Sequence, residues 1–386
     1  MADKTITGLL YSPRFRALVF QGLVLAALAF LIGSAVQTVS ANLSRLGISS
    51  GFDFLSREGH FGIGQALIEH SDSSTYFDAF KVALLNTLLV AGLAIVTATI
   101  LGFVIGLMRV SKNPLFALLG KVFVEFNRNI PLLLHLLFWY YVTLTMLPVV
   151  RESLVLGDVV LNRRGLYLPR PSLDASANGV VLGLVAMLFA VGVGAFIAWF
   201  RRGNASRVPG RVLLSVTAVS IVVGFWVGMS QLTWETPALS GLTYRGGLRM
   251  LPELVALWFC LTLYQSAFIA EIVRSGIQSV EKVQYEAAEA LTFTSGKMYR
   301  YVVIPQAARV ILPPYTGSVL NIIKDTSLGA AIGYPELMQV FWSTVLVQTG
   351  QGIEVVVITL GTYLTISLVF ALLINLYSRR FAIPGR

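Results

Sequence analysis

The chain of 386 residues offers few side chains suited to covalent or metal chemistry, and their spacing does not serve either. Cys260 is the sole cysteine, which excludes an internal disulfide and a multi-cysteine metal cluster. Its apolar surroundings read as those of a small buried hydrophobe. His60, His70 and His135 share no metal-ligand spacing, and no H-E-x-x-H, Ser/His/Asp grouping or paired carboxylate set is present. A loop that cradles phosphates needs G-x-x-x-x-G-K-[ST], because its backbone amides must surround the anion. The Gly-Lys pairs Gly120-Lys121 and Gly296-Lys297 lack both the earlier glycine and the following hydroxyl. No cofactor is therefore expected in this chain, and any ATP and Mg chemistry falls to another polypeptide. What remains is a set of polar groups in apolar surroundings: Asn86, Gln265, Glu271, Asn321, Lys324 and Asp325. One long polar loop, 271–309, stands beside them.

The elements that carry these groups are unusually apolar: 56% of all residues are hydrophobic and only 12% charged. Soluble domains have about 45–50% and about 25% respectively, so too little polar surface remains for a water-facing globule of this size. Eight segments reach the roughly 20 apolar residues that cross a bilayer: about 17–38, 82–107, 131–150, 179–200, 212–229, 250–270, 310–333 and 353–377. The first is too long for a signal-peptide core and reads as an uncleaved anchor. The fold class expected is an all-α, polytopic membrane helix bundle. The third span and the seventh, which contains Pro313-Pro314 and Lys324-Asp325, are the weakest of the eight.

The net charge of +10 comes from 29 Lys+Arg against 19 Asp+Glu. With the N-terminus inside, 19 basic residues fall on cytoplasmic segments and 8 on outer ones, which places both termini in the cytoplasm by the positive-inside rule. The basic run RRGNASRVPGR (201–211) is then a topology signal. It has no interleaved stacking aromatics, so nucleic acid is not a partner. Gly102 and Gly106 form a GxxxG pattern of the kind that lets helices pack closely in lipid.

Polar groups inside spans are costly and are functional hypotheses by default. Adjacent helix positions point about 100° apart, so Lys324 and Asp325 need not pair with each other. Either one faces a translocation pathway, together with Asn321, Gln265 and Asn86, or the set forms a structural network between helices. Glu253 and Arg274 lie at span ends, where snorkelling accounts for them. His135 reads as an interhelical hydrogen-bonder.

The loop EIVRSGIQSVEKVQYEAAEALTFTSGKMYRYVVIPQAAR is too structured for a simple turn. SVEKVQYEAAEAL predicts a helix with Ser279 as a candidate N-cap. Thr292 to Gly296 is a polar break, and Pro305 ends or kinks the KMYRYVVIP stretch. Such a helix–turn–helix serves either as a docking knob for a soluble partner or as an amphipathic pair lying on the membrane.

Glu286-Ala287-Ala288 followed by Val302-x-Ile304-Pro305 resembles the EAA loop of permease subunits of bacterial ABC importers. The spacing is kept throughout, but Thr292 stands where that family has glycine. Lys324-Asp325-Thr326-Ser327-Leu328, NTLLVAG near 86 and RNIPLLLHLLFW near 129 resemble the polar amino acid branch, and the length is similar to that of the general L-amino acid and glutamate/glutamine/aspartate/asparagine importers. The resemblance implies a type I importer transmembrane domain over 80–380, with an inserted two-span segment at about 151–249, after an N-terminal anchor and outer loop at 1–79. It further implies L-amino acid import across the inner membrane. In that reading the EAA loop is a coupling helix seated on a cytoplasmic ABC ATPase dimer, with Glu286 as the polar contact and Ala287 and Ala288 keeping the helix slim. Thr292 adopts the glycine's turn reluctantly, so either Gly296 makes the turn or the loop docks in modified form. A second permease in a heterodimer and a periplasmic amino acid-binding protein complete the implied assembly. The rival, an ion-coupled secondary transporter acting without an ATPase, would need an inverted repeat and span-buried carboxylates, and the sequence offers neither.

Overall fold

The computed structural model describes residues 13–45, 51–172 and 233–378. The spans expected at 179–200 and 212–229, and the basic turn between them, lie outside the described residues. Among the described residues, four helices are long and apolar enough to cross a membrane, or five if one bent pair is a single span.

Two compact units divide the chain. The first comprises Met1–Thr87 and Pro335–Tyr377. It opens with α1 (Pro13–Arg45), whose proline sits where a helix's first amide has no partner anyway. No residue in the apolar window of α1 is buried. The loop before the next helix closes on itself through Gly59 N–H to Ser74 O (2.9 Å) and Tyr76 N–H to Arg57 O (3.0 Å). Helix α2 (Tyr76–Arg109) then starts on a reciprocal cap. The Thr75 Oγ1 and backbone N–H donate to the Asp78 carboxylate at 2.7 and 3.2 Å, and the Asp78 N–H donates back to Thr75 Oγ1 at 3.2 Å. Phe54, Tyr76, Ala83, Leu337, Phe341 and Val355 form the core of this unit.

The second unit comprises Leu88–Tyr334 and Ser378–Arg386. It holds the rest of α2, then α3 (Pro114–Asn129) and α4 (Leu132–Met146). Asn113 caps α3 by accepting from Leu115 N–H at 2.9 Å. Pro131 forces the preceding Ile130 into an extended conformation, so α3 stops and α4 departs at 103°. The third expected span, 131–150, is therefore shorter than its apolar composition suggested: α4 has 15 residues, about 22 Å at 1.5 Å each. Helix α5 (Pro252–Gln278) is the central element. Its Leu257, Cys260, Leu261 and Ile269 are fully buried, in line with Cys260 as a small core hydrophobe.

Helices α2 and α5 touch backbone to backbone. A Cβ added at Gly102 would sit 2.9 Å from Ser266 O and 2.6 Å from Ile269 Cβ, and one at Gly106 would sit 2.9 Å from Ala270 O. The GxxxG pattern thus packs within the chain, and a side chain at either position would push the helices apart.

The segments flanking residue 173 and residue 232 add strands to this helical protein. β1 (Leu154–Leu156), β2 (Val159–Asn162), β3 (Gly165–Leu168) and β8 (Leu248–Met250) form an antiparallel sheet in the order β1-β2-β3-β8. β4 (Arg170–Ser172) pairs with β5 (Thr233–Glu235), and β6 (Ala238–Ser240) with β7 (Thr243–Arg245). The chain therefore leaves toward 173 and returns from 232 along one antiparallel ribbon.

After α5 come α6 (Lys282–Ala290), α7 (Ser295–Met298), a π-helical turn (Tyr299–Val303) and α8 (Ile304–Asp325). A 3-10 turn (Thr326–Ile332) succeeds α8. A π-helical segment (Gln339–Val345), α9 (Leu346–Thr349) and α10 (Gly352–Ser378) are the last described elements. The expected seventh span, 310–333, is corrected at both ends: α8 begins earlier, at Ile304, and α-helical geometry stops at Asp325. Pro313 and Pro314 lie inside α8 without breaking it. Pro305 does not end a helix either. The wide π turn just before it supplies the room that a proline ring denies to a regular α-helical turn.

Candidate functional site

The loop between α5 and α8 folds as a short helix set against two long ones. Ser279 is the C-cap of α5, its Oγ donating to Gly276 O at 2.7 Å, and not the N-cap of the next helix. That position belongs to Glu281, which makes no side-chain cap bond. The correction has a local cause, since α5 keeps its register to Gln278 and the chain needs an extended residue before α6 can start.

Within α6 the EAA triplet splits by face. Ala288 is 2% exposed and packs into the core with Ile277, Val280, Val303 and Ala307. Glu286 and Ala287 are exposed, and the Glu286 carboxylate makes no hydrogen bond or ion pair among the described residues. Tyr285 anchors the same turn, its hydroxyl donating to Ile277 O at 3.4 Å, and burial pushes that phenol above its ordinary pKa. Gln306 Nε2 donates to Gln284 Oε1 at 3.1 Å, fixing α6 to the start of α8. Ile304 and Pro305 are exposed on that start.

Thr292 itself makes the turn that ends α6. Its φ is +55°, while Gly296 sits in α7, so the alternative in which Gly296 supplies the left-handed turn is set aside. Thr292 N–H donates to Glu289 O at 2.8 Å, and Phe293 N–H reaches back to Ala288 O at 3.1 Å. These are the two bonds of a Schellman motif, with Phe293 packed into the core that contains Ala288. Ala288 thus serves three purposes: it is small, it is buried, and its carbonyl closes the helix.

The intramembrane polar residues separate into distinct environments. Asp325 Oδ2 accepts from Gln265 Nε2 at 2.7 Å, tying the end of α8 to α5. Lys324 is exposed and forms no salt bridge among the described residues, and Asn321 is exposed on the same helix. The hydroxyls of Thr326 and Ser327 return to Ile323 O and Lys324 O at 2.7 Å each, where the helix tightens. Asn86 belongs to the first unit, fully buried, its Nδ2 donating to Gln65 O (2.8 Å) and Pro335 O (2.9 Å). Of the five, Gln265 and Asp325 are joined directly. His135 departs from expectation: it is 2% exposed, both ring nitrogens lack a hydrogen-bond partner among the described residues, and Phe126, Trp139 and Tyr264 surround it.

Two further groups leave little trace in the sequence. Glu336 is fully buried and accepts from Met338 N–H (2.8 Å), Gln339 N–H (2.8 Å) and Tyr363 Oη (2.6 Å). An acid after Pro335 between apolar runs is its only signal. Arg109, which the sequence marks only as a topology charge, pairs with Glu271. Among the described residues no group of three or more His, Cys, Asp or Glu could hold a metal ion.

The model of binding-protein-dependent transport system inner membrane components matches residues 211–383. The chain is 44% identical to the Escherichia coli (strain K12) putative amino-acid ABC transporter permease protein YhdX, across 97% of this chain and 96% of that protein. It is 40% identical to the general L-amino acid transport system permease protein AapQ of Rhizobium johnstonii, over 98% and 95% of the two chains. Identity to the glutamate/glutamine/aspartate/asparagine transport system permease protein BztB of Rhodobacter capsulatus is 34%, over 99% and 97%. With apolar helices of membrane-spanning length and relatives aligned over nearly its whole extent, the chain belongs to the amino-acid ABC transporter permease family, as an integral membrane transport subunit.

Proposed function

We propose that this permease carries L-amino acids across the inner membrane as one of two permease subunits, driven by a separate ATPase dimer that docks on α6. Both termini are cytoplasmic, the permease domain runs over 80–380 with its insertion at 151–249, and a periplasmic amino acid-binding protein delivers substrate to the outer face. ATP and Mg reside on the ATPase, since this chain has no phosphate-cradling loop. The breadth of substrates follows the relatives named for general L-amino acid transport and for glutamate, glutamine, aspartate and asparagine. Gln265, Asn321, Lys324, Asp325 and Asn86 remain candidates for contact with the pathway.

The observation that carries the docking assignment is the division of α6 into a buried Ala288 face and an exposed Glu286–Ala287 face. A helix held only along one side leaves its polar side free for a protein groove, and Ala287 keeps that approach close. In the co-expressed transporter, Glu286→Lys is expected to abolish ATPase co-purification and uptake while leaving the permease in the membrane. Retained uptake with unaltered ATPase association would refute the assignment.

A further inference from the structure

The docking helix is continuous with α5 but has no covalent path to α2 except through the whole intervening chain. Movement imposed on α6 therefore reaches α2 by contact, either through α8, which holds Gln284 by Gln306 and meets α2 where Tyr315 Oη lies 2.8 Å from Thr99 Oγ1, or across the α5–α2 contact. The α5–α2 contact has two parts. Higher up it is neutral: Gly102 and Gly106 lie against the α5 backbone at Ser266 and Ala270, and Thr97 Oγ1 meets Thr262 Oγ1 at 2.6 Å and accepts from Trp258 Nε1 at 3.1 Å. At the cytoplasmic end, where the docking helix attaches, the contact becomes an ion pair. The Arg109 guanidinium of α2 donates to Glu271 Oε2 of α5. Arg274 Nε donates to the same carboxylate at 3.1 and 3.2 Å.

Of the four ion pairs among the described residues, Arg109–Glu271 alone joins two helices; the others are local in sequence. It is also sheltered, with the Arg109 side chain 13% and the Glu271 side chain 27% exposed. Sequence topology accounts for a basic residue at the inner end of α2, but it does not account for a carboxylate inside α5 aimed at it. Gly120 of α3 closes over the arginine stem, since a Cβ there would lie 2.8 Å from Arg109 Cγ.

We propose that the Arg109–Glu271 pair is the clutch of this transporter: it makes α2 follow α5 when the ATPase moves the docking helix. Both are positioning residues, and neither needs to touch substrate. The proposal rests on the α6 docking assignment and adds the route by which the movement spreads. Arg274 supports the Glu271 rotamer from within α5 and is not part of the link between helices.

The test uses the complete transporter in vesicles, with amino acid uptake and ATP hydrolysis measured on the same preparation. Arg109→Gln is expected to keep ATPase co-purification and hydrolysis within about twofold of the parent and to lower uptake per ATP at least about tenfold. Arg274→Gln, which breaks only the pair inside α5, is expected to stay within about twofold on both readouts. The decisive arm replaces the ion pair with a covalent tether. In a Cys260→Ala background, Arg109→Cys with Glu271→Cys is uncoupled as isolated, and a short bifunctional thiol reagent restores uptake per ATP. A merely structural charge pair would not be rescued in this way. Unchanged uptake per ATP in Arg109→Gln, or no recovery once the tether has formed, overturns the proposal. Loss of ATPase association in Arg109→Gln also overturns it, since the pair would then serve docking itself. Failure of the docking reading shows separately, as ATPase retained by Glu286→Lys.

Discussion

Thr292→Gly should stabilise the docking loop, and the size of the effect is set by one dihedral. Thr292 holds φ at +55° in the Schellman turn that closes α6. The left-handed region costs an L-residue about 1–2 kcal/mol, and a β-branched side chain belongs at the upper end. Glycine removes that strain but returns roughly 0.5–1 kcal/mol through the freedom of the open chain. Nothing else is lost, because the Thr292 side chain is exposed and makes no hydrogen bond among the described residues. The net gain is about 1–1.5 kcal/mol, or roughly five- to twelvefold in a local opening constant. Amide hydrogen exchange of the intact permease reads this directly at Phe293 N–H, whose bond to Ala288 O holds only while the turn is closed. Exchange there should slow by that factor in Thr292→Gly and stay unchanged in Thr292→Val, which keeps the branched shape and the strain. Equal or faster exchange in the glycine variant would refute the strain argument, and slower exchange in the valine variant would show that the hydroxyl, not the dihedral, governs the turn.

Three substitutions test the packing and hydrogen bonds around the bundle. Gly106→Val places a branched Cβ where 2.9 Å separates it from Ala270 O, and should cost about 1–3 kcal/mol or more, read as a lowered Tm in detergent. Asn86→Leu leaves the carbonyls of Gln65 and Pro335 without their amide donor. It should destabilise by about 1–3 kcal/mol, measured by thermal unfolding. Gln265→Leu strands the Asp325 carboxylate, whereas the double change with Asp325→Leu removes both partners, so the double variant should unfold at a higher temperature than the single one.

Hydropathy alone places α1, α2, α5 and α10, and the reason is general. In lipid every backbone polar group must be paired within its own segment, so a long apolar run has one available form. The EAA triplet, its spacing to Pro305 and the bilayer-matched runs are likewise open to inspection along the chain, and with them the family. Local rules fail where a neighbour overrules them. Ser279 has the chemistry of an N-cap, yet α5 keeps its register to Gln278 and takes Ser279 as its own last residue. Two adjacent prolines suggest a broken helix, yet α8 runs through them. His135 reads as a hydrogen-bonder because imidazole is polar, but α3, α4 and α5 surround it with Phe126, Trp139 and Tyr264 in an arrangement that leaves both ring nitrogens without a hydrogen bond among the described residues.

Glu271 shows the division most clearly. As a residue in a sequence it is a lone acid in an apolar helix, equally fit for a pathway, a hydrogen bond or a snorkelling end. Periodicity says which helix face it occupies but not what faces it, because partners 162 positions apart leave no local trace. That this chain is a membrane helix bundle with an EAA loop was determined by residue order and hydropathy alone. Which helices touch, which alanine closes the loop, and that a threonine bears a left-handed turn were decided by packing, because close approach and backbone strain exist only once distant segments are in contact.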